Sequence, residues 1–376
     1  LPSGQLEEGA GEQLGGSALR GRREVAGRSL RPPVEPPFAV QGLVPCLLPR
    51  PLHPHDTRQG RRGDASAGSV VAVSEPDPSG GRPPAPARPT LRVGVVGAGR
   101  VGAVLGAALR AAGHEVVAIS AVSDDSRERA EALLPGVPVR PVPEVVQSAQ
   151  LVLLAVPDDA LTDLVAGLHS TGTWVPGQLV AHTSGRHGLA PFAPVADALL
   201  PMAIHPAMTF TGTSLDLARL AECCFGITTP EALRPVAEAL VVEMGGEPVW
   251  VPEEARGRYH AALAHGSNHL VTLVAQAMEV LRSAGIDPAD RVLRPLLQAS
   301  LDNALSSGDA ALTGPVARGD AGTVAAHLAE LADLPEDVAT AYRAQARATA
   351  LRAQRSGRLR GDDAATILTT LDEETR

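Results

Sequence analysis

The sequence predicts an α/β fold, in which a doubly wound, mostly parallel β-sheet is followed by an all-helical C-terminal domain. Short apolar runs alternate with helical periods between residues 89 and 252, as expected for βαβ units that place helices on both faces of a parallel sheet. From residue 253 onward the periodicity is nearly all helical. The chain is also 44% apolar, which is ample for a packed core.

The alternation places each element in order. Strands are expected at residues 91–96, 115–120, 137–140, 151–156, 178–183, 202–205 and 224–228. The pattern changes after residues 249–251, and helices are expected at 253–284, 288–306, 321–332, 335–355 and 362–371.

Residues 1–88 differ in kind from the rest of the chain. They are rich in Pro, Gly, Arg and Ser and show no sustained period, so they are expected to form a disordered extension. Because the chain begins at Leu1, this extension is not assumed to be native. Residues 89–252 are expected to form the α/β domain, and residues 253–376 the helical one.

The composition excludes several classes of function. A formal charge of −9 argues against a nucleic-acid surface, and the absence of a long apolar run argues against a membrane span. The three cysteines, Cys46, Cys223 and Cys224, lack metal-ligand spacing and suit neither a zinc site nor a disulfide scaffold. A cytoplasmic protein without a metal is therefore expected. The chain contains no lysine, which excludes a lysine acid, base or Schiff base.

A glycine-rich turn follows the first strand and opens the first helix. It consists of Gly97, Ala98, Gly99, Arg100, Val101 and Gly102. Strand, Gly-x-Gly-x-x-Gly, helix and second strand together form the dinucleotide-binding fingerprint. Gly97 would allow the tight turn, Gly99 would let the backbone approach a pyrophosphate, and Gly102 would let helix and strand pack closely. The alternative is a glycine-rich turn in an α/β domain that binds nothing.

The tip of the second strand bears on the choice of nucleotide. It carries no acid for the ribose hydroxyls, whereas Ser120, Ser123 and Arg127 could hold a 2′-phosphate, so NADP is favoured. Asp124 and Asp125 lie just beyond and leave NAD open. Residues 123–128 also have the pattern of a helix start, with acids placed against the dipole.

The fourth expected strand in the chain, 151–156, ends at Val156 and Pro157, where the chain passes beside the cofactor. Two acids follow, and Pro157 with these acids is more typical of a helix start than of a catalytic pair. We therefore expect Val156 and Pro157 to pack against the nicotinamide ribose and to transfer no proton.

Two histidines are expected at the carboxyl edge of the sheet. His182 precedes Ser184 at the end of one strand, and His205 ends the next. Imidazole has a reference pKa near 6.5 and can exchange a proton with a carbonyl oxygen at neutral pH. The alternative for either histidine is a hydrogen-bonded structural role.

Polar residues in the helical domain could face this edge. His260, Ser267 and Asn268 share one face of a long expected helix, although such a face is often only solvated. Arg318 lies on an expected loop at 312–320, where it could bind a carboxylate. Alternatively Asp320 is a helix N-cap and Arg318 its solvated neighbour.

These motifs together resemble the bacterial Rossmann-like proteins that carry a C-terminal domain of unknown function 2520. The resemblance covers nearly everything after Pro89 and implies a helical domain like that of 6-phosphogluconate dehydrogenase. Prephenate dehydrogenases, ketopantoate reductases, pyrroline-5-carboxylate reductases and deazaflavin-dependent NADP reductases are the wider relatives. Long helical domains in this group usually pair between subunits, so the resemblance also implies a homodimer.

Two roles follow from the resemblance. His205 with Pro206 is similar to the His-Pro of prephenate dehydrogenases, whose histidine meets the reacting hydroxyl, and Ser184 lies where those enzymes have an orienting serine. Asn268 resembles the helix asparagine of ketopantoate reductases. Those enzymes carry a lysine one turn earlier, where this chain has Ala264. A carbonyl reductase of this sequence would therefore take its proton from histidine or water.

Three functions stay open at this point. The leading hypothesis is an NADP-dependent oxidoreductase that moves hydride to or from a small carboxylated substrate, an oxo acid or hydroxy acid. In it His205 is the acid or base, His182 and Ser184 orient it, Asn268 bonds across the domains and Arg318 anchors the carboxylate. The second is an imine reductase of the pyrroline-5-carboxylate reductase type, and the third a non-catalytic NADP-binding sensor or scaffold. The substrate and the direction of reaction are not fixed by the sequence.

Overall fold

The computed structural model describes residues 89–373. The expectations for residues 1–88, Cys46 among them, lie outside this range. The described part contains seven strands: β1 (Arg92–Val96), β2 (Glu115–Ser120), β3 (Leu151–Leu154), β4 (Leu179–His182), β5 (Leu200–Pro206), β6 (Cys224–Thr228) and β7 (Glu247–Trp250).

Twelve α-helices occur within the described range. Those that alternate with the strands are α1 (Arg100–Ala111), α2 (Asp124–Leu133), α3 (Val142–Ser148), α4 (Asp158–Ser170), α5 (Leu215–Arg219) and α6 (Arg234–Glu243). Those that follow the sheet are α7 (Arg256–Ser283), α8 (Ala289–Ser307), α9 (Gly314–Arg318), α10 (Ala321–Glu330), α11 (Glu336–Arg355) and α12 (Gly361–Asp372).

The strands form one sheet in the order β2-β1-β3-β4-β5-β6-β7. The pairings from β2 across to β5 are parallel, whereas β6 runs antiparallel to β5 and parallel to β7. The direction of winding changes between β1 and β3. The carboxyl ends of these two strands therefore border the crevice in which doubly wound folds bind ligands.

Two apolar layers cover the sheet. Helices α1, α2 and α6 contribute to one buried cluster, and α3 and α4 to the other. The strands are almost wholly aliphatic and buried on both faces, for example Val93 and Val95 of β1 and Val152 of β3. The mostly parallel, doubly wound sheet predicted from the sequence is confirmed.

The strand expected at residues 137–140 is wrong. In its place Val139 forms a single parallel bridge with Ile119 at the outer edge of β2. Pro138 and Pro141 flank the bridge and have no N–H to donate, so the ladder cannot extend. The expected loop at 312–320 is also partly wrong, because it contains the short helix α9.

The helical part has two sections. Helices α7 and α8 form a long hairpin with few buried residues, since only Arg256 of α7 and Ala289 of α8 are fully buried. Helices α9 to α12 enclose a separate apolar core that includes Val324, Ala350 and Ile367. Within residues 89–373, no helix is long and apolar enough to cross a membrane.

Candidate functional site

The glycine turn after β1 has the geometry of a phosphate cradle. Gly97 has φ +101°, and a Cβ there would lie 2.5 Å from the Ala155 carbonyl oxygen. A Cβ on Gly102 would collide with the Gly97 carbonyl oxygen and lie 2.8 Å from Ala155 Cβ. Gly99, by contrast, has nothing within 4 Å of its Cβ position. Two glycines are therefore needed for close packing, and the third opens onto free space.

Helix α1 begins at this open position. Gly99 is its N-cap, and no side chain caps the helix. The first-turn N–H groups, those of Arg100 and Val101 among them, therefore face the space above Gly99 without a side-chain acceptor. Together with the helix dipole they form a site for an anion such as a diphosphate.

The tip of β2 holds the turn through the serine that was expected to bind a phosphate. Ser120 is buried, and its Oγ accepts a hydrogen bond from Gly97 N at 2.9 Å. Ser123 caps α2, where its Oγ accepts from Ser126 N at 3.2 Å. The helix start that the sequence also allowed at this position is therefore confirmed. Arg127 is exposed on the first turns of α2.

A different arginine of α2, not singled out from the sequence, contacts the turn. Arg129 Nη1 donates to the Ala98 carbonyl oxygen at 3.0 Å. A Cβ on Gly212 would lie 2.7 Å from Arg129 Nε and 3.0 Å from Arg100 Cγ. Arg100 and Arg129 thus both lie against the loop that contains Gly212, and they bring two cations to the glycine turn.

That loop is fixed by a buried carboxylate. Asp216 is fully buried and accepts hydrogen bonds from the N–H groups of Thr211 and Gly212 and from the Thr211 hydroxyl, at 2.7 to 2.9 Å. Burial by itself would raise the pKa of Asp216, but these hydrogen bonds outweigh it and lower the pKa. The loop after β5 is therefore held against the cofactor side of the sheet.

The end of β3 leads directly into a helix. Pro157 is the N-cap of α4, which begins at Asp158, so the helix start expected there is confirmed. Val156 is half-buried, and its Cγ1 lies 3.6 Å from the Cβ position of Gly97. Val156 therefore lies beside the glycine turn, as packing against a bound cofactor requires.

His182 is the structural centre of the loop after β4. It is fully buried and stacked on Phe192, with ring centroids 5.5 Å apart. Its Nε2 lies 2.7 Å from the Gly188 carbonyl oxygen, and its Nδ1 accepts from Ser184 N at 3.2 Å. Burial lowers the pKa of His182 to about 4. Both ring nitrogens are thus engaged by the backbone, and His182 acts on the site only by shaping this loop.

Ser184 is part of the same loop. It is buried, and its Oγ accepts a hydrogen bond from His187 N at 3.1 Å. Glu253 closes the far end of the loop by accepting from Leu189 N with both carboxylate oxygens, at 2.8 and 3.0 Å. The hydroxyl of Ser184 therefore supports the turn that brings Gly185 to the sheet edge.

His205 is the group at the centre of the site. Its Nδ1 lies 3.0 Å from Tyr259 Oη, and its ring meets His260 edge-on with centroids 6.3 Å apart. A Cβ on Gly185 would lie 2.9 Å from His205 Nε2 and 2.8 Å from His260 Cδ2. Burial lowers the pKa of His205 to about 4, and the Arg256 charge adds to this effect. His205 is therefore a neutral imidazole whose Nε2 lies beside a side-chain-free stretch of backbone.

Arg256, which the sequence analysis did not identify, lies beneath this group. It is 2% exposed, and its Nε and Nη2 donate to Thr228 Oγ1 and to the carbonyl oxygens of Ala203 and Gly226, at 2.7 to 3.0 Å. Nη1 is buried with no hydrogen-bond partner in the part of the chain that the structure describes. Burial lowers the pKa of Arg256 to about 10, so it is still a cation at neutral pH.

The other residues singled out from the sequence are not brought to this point. Ser267 and Asn268 are exposed further along α7, and Arg318 is exposed at the end of α9. Asp320 caps α10 by accepting from Thr323 N at 3.0 Å, as its alternative interpretation predicts. Of the α7 residues singled out from the sequence, only His260 reaches the carboxyl edge. In residues 89–373 no group of three or more potential ligands could hold a metal ion.

The fold defines a class of protein: a Rossmann-type α/β domain followed by a helical C-terminal region. Matches to family models identify the two domains. The Rossmann-like domain matches residues 74–206, and the domain of unknown function 2520 matches residues 223–349. The chain thus contains a Rossmann-like domain and a domain of unknown function 2520, and the resemblance seen in its motifs is confirmed. Among curated proteins, none matches the sequence.

Solved structures with the same fold include several oxidoreductases. A provisionally named NADP oxidoreductase from Bacteroides fragilis is 22% identical, with a TM-score of 0.60, and the match covers 69% of this chain and 98% of that one. An imine reductase from Pseudomonas sp. is 18% identical, with a TM-score of 0.54. The match covers 74% of this chain and 98% of that one. An imine reductase from Myxococcus stipitatus in complex with NADP+ is 20% identical, with a TM-score of 0.52. The match covers 76% of this chain and 100% of that one.

Proposed function

We propose that the protein is an NADP-dependent oxidoreductase that transfers hydride to or from a small carboxylated substrate, an oxo acid or hydroxy acid. One observation carries the proposal: the uncapped N-terminus of α1 and the neutral imidazole of His205 are both at the carboxyl edge of the sheet. The first suits a diphosphate and the second a substrate oxygen. Fold neighbours that are oxidoreductases agree with this proposal.

The cradle fits a dinucleotide on its own geometry. The N-terminus of α1 offers backbone amides that no side chain caps, with open space above Gly99, and Val156 and Pro157 border the crevice at β3. A bound reduced nicotinamide would supply hydride to the substrate. The cations Arg100 and Arg129 beside the turn favour the 2′-phosphate of NADP over NAD, and Arg127 is a further candidate.

In this proposal the chain's own residues bind and protonate the substrate. His205 donates the proton from Nε2, while His182 and Ser184 hold the loop that carries Gly185 against it. His260 lines the same edge. Ser267 and Asn268 on α7 and Arg318 on α9 are exposed, and we retain them as candidates for contacts to the substrate, Arg318 for its carboxylate.

A substrate panel tests the proposal. The purified chain is mixed with NADPH and a set of 2-oxo acids and cyclic imines, and NADPH absorbance is followed. Turnover of a 2-oxo acid that falls at least 100-fold in His205→Ala is expected, because a positioned general acid contributes on the order of 100-fold or more. Full turnover in that variant would remove the proposed role of His205.

A second candidate is an imine reductase of the pyrroline-5-carboxylate reductase type. The absence of lysine favours it, because a protonated imine needs little general acid. Two of the structures that share the fold are imine reductases. If both His182→Ala and His205→Ala still turn over a cyclic imine, the result would favour imine reduction over carbonyl reduction.

A third candidate is a sensor or scaffold that binds NADP without turning it over. The missing lysine supports it as well. Tight NADPH binding by calorimetry, together with no hydride exchange into any member of the panel, would make it the better interpretation.

We further propose a homodimer formed through the helical hairpin. Of the fifteen large hydrophobic residues that are exposed among residues 89–373, eight lie between 270 and 305. A groove of about 530 Å³ between α7 and α8 is lined mainly by apolar residues, five of which are leucines. Apolar surface on this scale is typical of a surface that pairs with a partner.

The domain division at residues 252 and 253 and the compartment are also proposals. The first is supported by the separate apolar core of α9 to α12. A cytoplasmic location is supported by Cys223 and Cys224, which are both free thiols.

A further inference from the structure

The contact between His205 and Tyr259 joins two groups that can both carry a proton. Nδ1 of His205 lies 3.0 Å from Tyr259 Oη, which leaves only Nε2 for a substrate. The two rings meet edge-on with centroids 5.6 Å apart. Tyr259 can approach this closely because β6 carries glycine opposite it, and a Cβ on Gly226 would lie 2.6 Å from Oη.

The protonation state of Tyr259 allows it to donate this hydrogen bond. Burial raises the pKa of Tyr259, so the phenol is neutral at pH 7 and keeps a hydrogen that it can donate. The phenolic hydrogen is therefore free to be donated to Nδ1 of His205. When Tyr259 donates in this way, the neutral imidazole carries its single proton on Nε2.

A neutral imidazole cannot replace the proton that it gives away. Burial, with smaller contributions from the charges of Arg256 and His260 and an opposing one from Asp158, lowers the pKa of His205 to about 4, so no imidazolium is stored at neutral pH. A proton that leaves Nε2 must be replaced at Nδ1. The group that donates to Nδ1 is Tyr259.

Arg256 provides the charge that such a transfer needs. Its guanidinium carbon lies 5.8 Å from the centroid of the Tyr259 ring. It is buried, Nη1 has no partner, and no ion pair neutralises it within the described residues. Glu253 favours the charge of Arg256 electrostatically but forms no ion pair with it, so a negative charge that forms beside the guanidinium stabilises this buried cation further.

We infer that Tyr259 supplies, through His205, the proton for the substrate oxygen, and that Arg256 stabilises the phenolate left behind. This rests on the proposed carbonyl reduction. The substrate carbon accepts a hydride from a reduced nicotinamide, and its oxygen takes the Nε2 proton of His205. Nδ1 takes the Tyr259 proton, so the imidazole stays neutral and the charge remains on Tyr259 Oη. After the product leaves, a proton from bulk solvent enters at Nε2 and Nδ1 returns its proton to the Tyr259 phenolate, so both groups regain their starting protonation.

The titration of this pair depends on a small set of groups. His205 is influenced by Arg256 and His260 of α7 and by Asp158 of α4. Tyr259 is influenced by Arg256 and by the thiols of Cys223 and Cys224 at the start of β6. The inference makes Tyr259 a positioning and proton-supplying residue that acts through His205.

The chain offers a matched control for Tyr259. Its only other tyrosine, Tyr342, also bonds to a histidine, since its Oη lies 2.8 Å from Nδ1 of His327 in the bundle of α9 to α12. With the 2-oxo acid that is turned over fastest, Tyr259→Phe should lower kcat on the order of 100-fold, leave KM unchanged and alter the alkaline limb of the pH profile. Tyr342→Phe should leave all three unchanged. Equal kcat and equal pH profiles in the two variants would overturn the inference.

A second measurement needs no substrate. In Tyr342→Phe protein Tyr259 is the only tyrosine, so ultraviolet absorbance reports its phenolate alone. Adding Arg256→Gln should reduce its acid dissociation constant at least tenfold, whereas Arg256→Lys, which keeps the charge, should restore much of it. If Arg256→Gln does not fold, the lysine variant is compared with wild type, and nitrogen NMR of His205 should show the proton on Nε2 and a changed Nδ1 shift in Tyr259→Phe. A proton on Nδ1 in the wild type, or a phenolate that does not respond to Arg256, would overturn the inference.

The two measurements separate this inference from the proposed function. If no member of the panel is turned over, the proposed reduction fails, and the titration and NMR still decide whether Tyr259 donates to His205 beside a charge-compensating Arg256. If a 2-oxo acid is reduced but Tyr259→Phe behaves as wild type, the proposed function stands and the proton route is wrong.

Discussion

Ser120 Oγ accepts a hydrogen bond from Gly97 N at 2.9 Å, so the tip of the second strand holds the turn that ends the first. The neighbouring Ala98 N donates to the Ser120 carbonyl oxygen at 2.8 Å. Two bonds from one residue thus hold a turn whose positive φ only glycine adopts readily. The turn is rigid before any ligand arrives, which reduces the entropy cost of binding.

The first prediction concerns Gly99. Gly99→Leu should abolish NADPH binding, because its side chain would fill the space above the amides of α1, and it should fold because Gly99 has φ −69° and no neighbour within 4 Å. Calorimetry should show at least a 100-fold loss of affinity with little change in melting temperature. Gly167→Leu, at an equally open glycine of α4, is the control and should bind as wild type. Equal NADPH affinity in wild type and Gly99→Leu would remove the nucleotide assignment.

The second prediction separates two arginines of α2. Arg129→Ala should lower the ratio of NADPH to NADH affinity by roughly 10-fold or more, because a charge-assisted hydrogen bond to a phosphate contributes about 1.5–3 kcal/mol. Arg127→Ala should change the ratio little, since Arg127 is exposed and Arg129 contacts the turn through Ala98. Fluorescence titration with both nucleotides measures the ratio, which does not depend on any general loosening of the turn. The opposite ranking would favour the assignment made from the sequence.

The sequence predicts the positions of several strands, but it does not show that Arg129, and not Arg127, contacts the glycine turn. Strands β2 and β6 begin and end at the residues expected, because their apolar runs are bounded by turn and cap residues. Residues 137–140 have an apolar pattern that predicts a strand, but the two prolines beside Val139 limit the pairing to one bridge.

The candidate site was only partly predictable for a different reason. His182, Ser184 and His205 follow strands, and parallel strands end at one edge, so their meeting is implied by the fold. Tyr259 pairs with His205 across 54 positions, and no local pattern encodes that contact. One signal was present, since Tyr259 is one of two tyrosines in a chain that is 2% aromatic. Arg256 gave no such signal. The local sequence around a buried arginine that forms no ion pair does not differ from that around a solvated arginine.

The third prediction is a loss of stability in acid that arises from His182. Burial lowers the pKa of His182 to about 4 in the folded chain, against about 6.5 in the unfolded chain. Between pH 4 and pH 6.5 the unfolded chain therefore binds a proton at this histidine that the folded chain does not bind. The contribution is therefore fully present above pH 6.5 and is lost as the pH falls towards 4. By linkage, His182 should lower the free energy of unfolding by about 2 kcal/mol between pH 7 and pH 5.

Urea unfolding of wild type and His182→Asn tests this. The variant should be less stable at pH 7, by about 1–3 kcal/mol, because the Gly188 carbonyl and the Ser184 amide lose their partner. Its change in stability between pH 7 and pH 5 should be smaller than that of wild type by about 2 kcal/mol. Between pH 7 and pH 8 the two proteins should show the same slope. Equal slopes between pH 7 and pH 5 would show that His182 is not buried as a neutral group.

The fourth prediction concerns the helical hairpin. Leu296 on α8 is 62% exposed in the single chain, and nearby Val292 and Leu305 are exposed as well. If a second copy covers this face, Leu296→Arg places a charge in an apolar interface and should weaken dimerisation on the order of 100-fold. Sedimentation equilibrium should then show a dimer for wild type and a monomer for the variant at the same concentration. Leu215→Arg, at a residue of similar exposure on α5, is the matched control and should stay dimeric, because it lies outside the hairpin. A monomeric wild type at high concentration, or a dimer that tolerates arginine at position 296, would contradict pairing through α7 and α8.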